Sequence, residues 1–246
     1  MMETSNLHKR PIGELVRDDY RTAEVLSRWK LDYCCGGKRN LEEACNREGA
    51  DIREVTSALE QILAQPAGRA MDYNAWSTTF LIDHIEQVHH SYVRKSLPIL
   101  VATAQKVALR HGQEYPYLET VFLEVKALAL ELESHLGKEE NILFPYIRKL
   151  LLARSRSSQM EAAPFGTINN PIHMMESEHE DAGESLQNIR QLTNDLVPPE
   201  AACTSWRVLY KLLEEFEADL HTHIHLENNI LFARAIQLEK ETTFGA

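Results

Sequence analysis

One block of this sequence occurs twice. His135-Leu136-Gly137-Lys138-Glu139 continues into Glu140-Asn141-Ile142-Leu143-Phe144, and His223-Ile224-His225-Leu226-Glu227 continues into Asn228-Asn229-Ile230-Leu231-Phe232. Each copy sets a histidine and a glutamate four residues apart, just ahead of an apolar run. Four residues of α-helix advance about 400°, so the two side chains lie within roughly 40° of each other and about 6 Å apart along the axis. An imidazole and a carboxylate on one face can share a metal ion, and two such faces can hold two ions. The duplication extends upstream. His90 stands 45 residues before His135, and His179 stands 44 before His223. Each half is therefore expected to form a helical hairpin with one histidine on its first helix and a His-x-x-x-Glu on its second. An internal repeat defines architecture before any other signal. The expected fold class is all-α, an antiparallel four-helix bundle with the ligand candidates converging in one core.

Composition narrows the function. The chain has 246 residues, enough for one large domain or two modest ones with a sizeable core. A net charge of −11 makes a nucleic-acid backbone a poor partner. No apolar run approaches the ~20 residues of a membrane span. The opening Met1 to Arg10 lacks the apolar segment of a signal peptide, so cytoplasmic residence is expected. Cys34, Cys35, Cys45 and Cys203 are too few for a disulfide scaffold, and reduced thiols are expected.

Before the repeat, residues 1–66 read as a small helical module. Pro11 can open a first helix at Ile12, and Ala23 to Trp29 gives a second. Cys34-Cys35-Gly36-Gly37 reads as a turn whose glycines permit positive φ. Asn40 can cap a helix from Leu41, and Asp51 with Glu54 can form a capping box for Ile52 to Leu63. Residues 67–76 are expected to link this module to a bundle over 77–240. Within the bundle the expected helices run from about Ser77 to Arg110 (kinked at Pro98), Tyr117 to Leu152, Asn170 to Leu196, and Thr204 to Leu238. A long polar connection joins Arg154 to Thr167, and the tail after Glu239 is expected to fray.

A lone histidine on an apolar face is usually a satisfied core residue, and a single His-x-x-x-Glu is often a surface pair. Two copies at matching places point instead to metal ligation by His90, His135, Glu139, His179, His223 and Glu227. The remaining histidines fall on other faces or at helix ends: His84 and His89 are turned away from His90, and His221 and His225 lie about 200° from His223. Glu140 points about 140° away from His135. Glu86, one turn before His90, and Glu176, in a Glu-x-x-His with His179, are weaker ligand candidates. Four imidazoles and two carboxylates make a mixed nitrogen and oxygen set. Thiolate-rich sites and the all-oxygen sites of magnesium and calcium fit it less well. Two non-haem irons, bridged by Glu139 and Glu227 and by oxide or hydroxide, fit best, with coordination positions open to a small diatomic ligand.

In its His90, His135/Glu139, His179, His223/Glu227 order, the chain resembles the hemerythrin-like di-iron family across about Ser77 to Leu238. Tyr33-Cys34-Cys35-Gly36-Gly37 is similar to the signature of the small module preceding this bundle in one subfamily, the Repair of Iron Centres proteins. Met175-Glu176-Ser177-Glu178-His179 and Glu227 to Phe232 also resemble that subfamily. The resemblance implies a hemerythrin-like bundle behind a small helical domain, in a cytoplasmic bacterial stress protein, often dimeric. It would help restore iron–sulfur clusters damaged by nitric oxide or peroxide, with the six residues above as iron ligands. One departure is Ala233, where Leu143-Phe144-Pro145 leads one to expect proline.

Cys34 and Cys35 are the further candidates, for electron transfer, transient iron holding or nitrosyl trapping. They are expected to be exposed beside the Gly-Gly turn, with a pKa lowered by the helix N-terminus near Asn40. Direct bridging between adjacent cysteines is strained. Cys45 and Cys203 read as core or incidental. Three functions compete: iron supply to damaged iron–sulfur proteins, nitric oxide reduction at the di-iron centre, and oxygen or nitric oxide binding or sensing.

Overall fold

The computed structural model describes residues 4–65, 72–156 and 163–243. Residues 67–71 of the expected 67–76 linker, and 157–162 of the polar connection, lie outside the described residues, while Tyr73–Ala75 form a short 3-10 turn. Among the described residues there are helices and two isolated bridges but no strand. No helix among them is long and apolar enough to cross a membrane. Two compact units form, one from residues 1–81 with 224–234 and the other from 82–223 with 235–246.

The first unit contains α1 (Ile12–Asp18), α2 (Thr22–Arg28), α3 (Leu41–Glu48) and α4 (Ile52–Ala64). Each start has a local cause. Pro11 sits at the N-cap of α1 with φ −55° and ψ 131°. Asn40 accepts from the Glu43 backbone N–H at 2.9 Å while Glu43 accepts from the Asn40 N–H, a reciprocal box that satisfies two otherwise orphaned donors. The box expected at Asp51 is replaced by a single bond, Arg53 N–H to Asp51 at 2.8 Å. Gly49 closes α3 in the left-handed region, φ 67°, where a side chain would be strained. Ile12, Leu26, Leu41, Val55 and Leu59 are fully buried and form the module's core.

The rest of the chain is built on long helices, most of them in the second unit, interrupted at three places by π turns. In chain order these are α5 (Thr78–His84), a π turn at Ile85–His90, and α6 (Ser91–His111). Then come α7 (Tyr117–Lys138), a π turn at Glu139–Leu143, and α8 (Phe144–Arg156). The series closes with α9 (Asn169–Leu192), α10 (Thr204–Leu226), a π turn at Glu227–Leu231, and α11 (Phe232–Thr243). Helix α6 packs on α7 and α7 on α9. Arg190 of α9 is salt-bridged to Glu217 of α10, and Tyr92 of α6 stacks on Phe216 of α10 with centroids 6.4 Å apart, closing the ring of four.

The sequence dictates that closure through one spacing. Val121, Val125, Leu128, Leu132, His135 and Glu139 advance in steps of four and three, and all are buried. Leu209, Leu213, Phe216, Leu220, His223 and Glu227 repeat the same steps. These are core positions of an amphipathic bundle helix, so the ligand candidates continue the apolar seam and are carried into the interior by it.

Several boundaries differ from expectation. Helix α9 stops at Leu192, not Leu196. The Thr193 hydroxyl donates to the Ile189 carbonyl at 2.7 Å, and Asn194, Asp195 and Leu196 all take positive φ, which ends a helix. The chain beyond Glu239 does not fray at once but stays helical to Thr243. Glu239 accepts from the Tyr146 hydroxyl at 2.8 Å, the Thr167 hydroxyl at 2.7 Å and the Ile168 N–H at 2.9 Å. Pro98 is held inside a continuous α6. Ala233 in place of proline changes nothing at this level: α11 begins at Phe232 just as α8 begins at Phe144.

Candidate metal centre

All six predicted ligands are buried, and each π turn abuts one of them. The first ends on His90, the second begins on Glu139 and the third begins on Glu227. A π turn inserts one residue into the helical register, and such insertions concentrate at functional sites. Here the insertion lets Glu139 and both Leu143 and Phe144 face inward.

Within the second unit the side chains gather into two groups. One ligand atom each from His90, Glu139 and His223 lies within 4.8 Å of the others, and the same holds for His135, Glu139 and His179. Glu139 belongs to both. Its Oε2 stands 3.4 Å from Nε2 of His90 and 3.4 Å from Nε2 of His135. Nε2 of His179 faces Nε2 of His135 at 3.0 Å. Glu227 is fully buried, four residues beyond His223 on one continuous helical run, so its carboxylate leaves the helix on the His223 face.

The protonation pattern argues for a cation. His90 donates from Nδ1 to Glu140 at 2.7 Å, and Glu140 is gripped by Arg94 at 2.6 and 3.0 Å. His135 donates from Nδ1 to Glu178 at 2.9 Å, and Lys138 pairs with the other Glu178 oxygen. A carboxylate on Nδ1 fixes the tautomer with the lone pair on Nε2, and such partners raise ligand basicity. Those two lone-pair nitrogens face the Glu139 carboxylate. Neither Glu139 oxygen accepts a hydrogen bond among the described residues, and the side chain is fully buried. Electron-rich atoms packed face to face away from water are costly unless a cation lies between them. The donor set therefore fits a metal, and its mixed nitrogen and oxygen chemistry suits iron. The outer carboxylates are charged accordingly. The His135 hydrogen bond, with help from Lys138, brings the Glu178 carboxyl down to about 2. Glu140 is also lowered: the Arg94 and His90 hydrogen bonds outweigh burial, the largest single influence, which acts the other way.

Spacing alone misses Glu140 and Glu178. Glu140 does point away from His135, but toward His90 on the neighbouring helix, and no single-helix projection reveals that. Glu86 is paired with Arg148 at 3.1 Å, beside Asp83, and stands outside both groups, as does Glu176, 3.5 Å from His173. His89, fully turned inward, is 3.0 Å from Asp219 and stacks on His223. His225, expected on an outer face, is buried in the first unit between the rings of Tyr20 and Tyr33, and burial drives its pKa down to about 3. Cys203 is exposed and 3.2 Å from His111, and Cys45 is buried.

The cysteine turn departs from expectation in three ways. Cys34 is buried, and only Cys35 is partly accessible. The Cys34 thiol is held well above its usual range, not lowered. Its hydrogen bond with Cys35, burial, and the charges of Cys35 and Asp32 all act in that direction. The turn is organised by Asp32, whose carboxylate accepts from the N–H groups of Cys34 (3.2 Å), Cys35 (2.9 Å) and Gly36 (2.8 Å). Gly36 and Gly37 do not take positive φ. Gly37 is required by close approach instead: a Cβ there would lie 2.5 Å from the Tyr33 carbonyl oxygen, 2.8 Å from Asn229 Oδ1 and 3.1 Å from Gly13 Cα. Asn228 donates to the Cys34 carbonyl at 3.3 Å, and Asn229 donates to the Tyr33 carbonyl at 3.1 Å. The turn thus hangs on the two residues that follow Glu227.

Comparison with known proteins agrees with this anatomy. Residues 81–235 match the hemerythrin HHE cation-binding domain, and residues 8–63 match a domain of unknown function, DUF542. The chain is 37% identical to the iron-sulfur cluster repair protein YtfE of Citrobacter koseri over 226 residues, covering 92% of this chain and 96% of that protein. It is 38% identical to the protein of the same name from Yersinia pestis, over 93% of this chain and 97% of that one. With both modules matched and nearly the full length aligned, the chain belongs to the Repair of Iron Centres family, the YtfE-type iron–sulfur cluster repair proteins.

Proposed function

We propose that this chain repairs iron–sulfur clusters damaged by nitrosative or oxidative stress, by supplying iron held at a di-iron centre. Damaged iron–sulfur proteins would be its partners. The observation that carries this reading is the pair of groups sharing Glu139, each with histidine nitrogens turned to the shared carboxylate. In this reading His90 and His223 would hold one iron and His135 and His179 the other, with Glu139 and Glu227 as the carboxylates available to both. Glu227 takes its role from register. It stands to His223 as Glu139 stands to His135, on the same seam and equally buried.

Supply requires that iron leave. Glu140 and Glu178 orient His90 and His135 through Nδ1, on the opposite side of each ring from the Nε2 that would meet the metal. Cys34 and Cys35 serve redox or iron transfer. In domain terms, residues 1–66 carry the cysteine turn, 67–76 link, and 77–240 hold the iron. The name of the relatives, iron-sulfur cluster repair protein, supports the same function.

The test is anaerobic transfer from the iron-loaded full chain to an apo-ferredoxin. About two irons per chain, and cluster formation faster than with an equal amount of free ferrous iron, is the expected result. Transfer no faster than free iron would sink the proposal. Multiple-turnover nitrous oxide formation with a reductant, in place of transfer, would make the protein a nitric oxide reductase instead.

A further inference from the structure

The geometry points to a second metal site in the first unit: Cys34 and Cys35, with Asp32, bind one thiophilic divalent cation of tetrahedral preference, such as zinc or ferrous iron. Its existence does not depend on what the bundle's iron is used for.

The sulfur spacing is the first reason. Cys34 Sγ and Cys35 Sγ lie 3.8 Å apart, and neither is in a disulfide. A disulfide needs about 2.05 Å, so the turn is not set for bridging. Two thiolates at tetrahedral angles on an ion with bonds of about 2.3 Å sit about 3.8 Å apart. A linear two-coordinate ion would need them about twice a bond length apart, which this turn does not offer.

The third ligand is already in place. Asp32, Cys34 and Cys35 each offer an atom within 4.8 Å of the others, and Asp32 Oδ1 is 3.1 Å from Cys34 Sγ. Three backbone N–H groups and the Cys34 S–H occupy the roughly four lone-pair directions of the carboxylate, and loss of the thiol proton on metal binding frees the one facing Cys34 for the ion. The exposed side of Asp32 and the accessible side of Cys35 leave a fourth position to water or to a client's ligand.

The surroundings also favour a cation over a nucleophile. Reactive thiols need electropositive surroundings that stabilise the thiolate. Here a carboxylate sits against Cys34, and the thiol is held in its protonated form. A divalent cation reverses that balance. It displaces both thiol protons to solvent, and the two thiolates and Asp32 then surround a positive charge instead of repelling one another. The turn is also rigid, because Asn228 and Asn229 hold the carbonyls of Cys34 and Tyr33. A preformed bite loses little entropy on binding.

The test is titration of Co2+ into the reduced, iron-loaded full chain under anaerobic conditions, followed by displacement with Zn2+. Thiolate-to-cobalt absorption in the near ultraviolet marks sulfur ligation, which the histidine and glutamate centre cannot give, and the visible bands report geometry. The expected result is one Co2+ per chain with tetrahedral bands. Cys35→Ser is expected to lose at least about half of the sulfur absorption and to weaken binding by more than the ~10–100-fold typical of losing an outer partner. Asp32→Asn, which keeps a ligating oxygen but removes its charge, should weaken binding by at least about 10-fold. Iron content and helical circular dichroism should stay unchanged in both. Absence of the sulfur absorption, octahedral bands, or absorption that survives Cys35→Ser undiminished would each overturn the site. Cys35 is the partly accessible member of the pair, so its variant decides the matter even if Cys34→Ser fails to fold. A Cys45→Ser, Cys203→Ser double variant must leave the absorption intact, and its loss there would also overturn the assignment.

Discussion

The two His-x-x-x-Glu helices share one inner face and differ on the outer one. His135 and Glu139 occupy the same seam positions as His223 and Glu227, and each helix breaks into a π turn at its glutamate. The neighbours of those glutamates have diverged. Glu140, in the first copy, reaches His90 and is held by Arg94. Its counterpart Asn228 carries the carbonyl of Cys34. Asn141 bonds its own helix, at the Gly137 carbonyl, whereas Asn229 supports Tyr33 and contacts His225. Gly137 has open space around it, while His225 at the equivalent place is packed between two tyrosines. Inner-face positions are bound by the demands of ligation and packing. Outer-face positions are free to take on whatever layer lies outside, a charged shell in one copy and the cysteine module in the other.

The largest test of this comparison is at the shared glutamate. Glu139→Ala should abolish iron loading at both groups, because both use it, and metal analysis beside His179→Ala would show the contrast. If His179→Ala loses as much iron as Glu139→Ala, the two groups are one cooperative site and not two sharing a bridge. At the next level, Asn229→Ala removes a half-buried bond to the cysteine turn and should cost about 1–3 kcal/mol in urea unfolding. Asn141→Ala, at the same register position, should stay within about 0.5 kcal/mol. Equal effects would break the claim that only one copy supports a second layer.

Glu140→Gln and Glu178→Gln keep shape but weaken the hold on His90 and His135. Each should lower iron affinity by about 10–100-fold in chelator competition, with the fold unchanged. The smallest effect has the opposite sign. Gly137→Ala, in a helix interior with nothing within 4 Å of an added Cβ, should stabilise the chain by about 0.5–1 kcal/mol. Gly37→Ala, which would collide with the Tyr33 carbonyl oxygen and Asn229, should destabilise it by about 1–3 kcal/mol in the same thermal melts.

Much of the centre is legible in residue order alone. Helical spacing places His135 with Glu139 and His223 with Glu227, and the repeat adds His90 and His179. All of these depend on contacts within one helix or on the register of a duplicated unit, and both are written directly in the order of residues. The capping of α3 by Asn40 is legible for the same reason. Contacts between elements far apart in the chain are not. Glu140 faces away from its own helix's ligand, so spacing excludes it although it serves His90. Glu178 stands out only as part of a string resembling a family, and His225 projects to an outer face that turns out to be packed. The Gly-Gly turn suggests positive φ, yet its glycines are a matter of clearance.

The sequence by itself determined the seam. Steps of three and four put apolar residues and then the ligand candidates on one side of each helix, and burial of that side follows from the hydrophobic effect. Only the tertiary structure decided what each candidate histidine touches through its Nδ1, and why Asn229 and Asp32 matter. A helix fixes the direction of its side chains, but the partner met in that direction belongs to another element, and its identity appears only once the chain has packed.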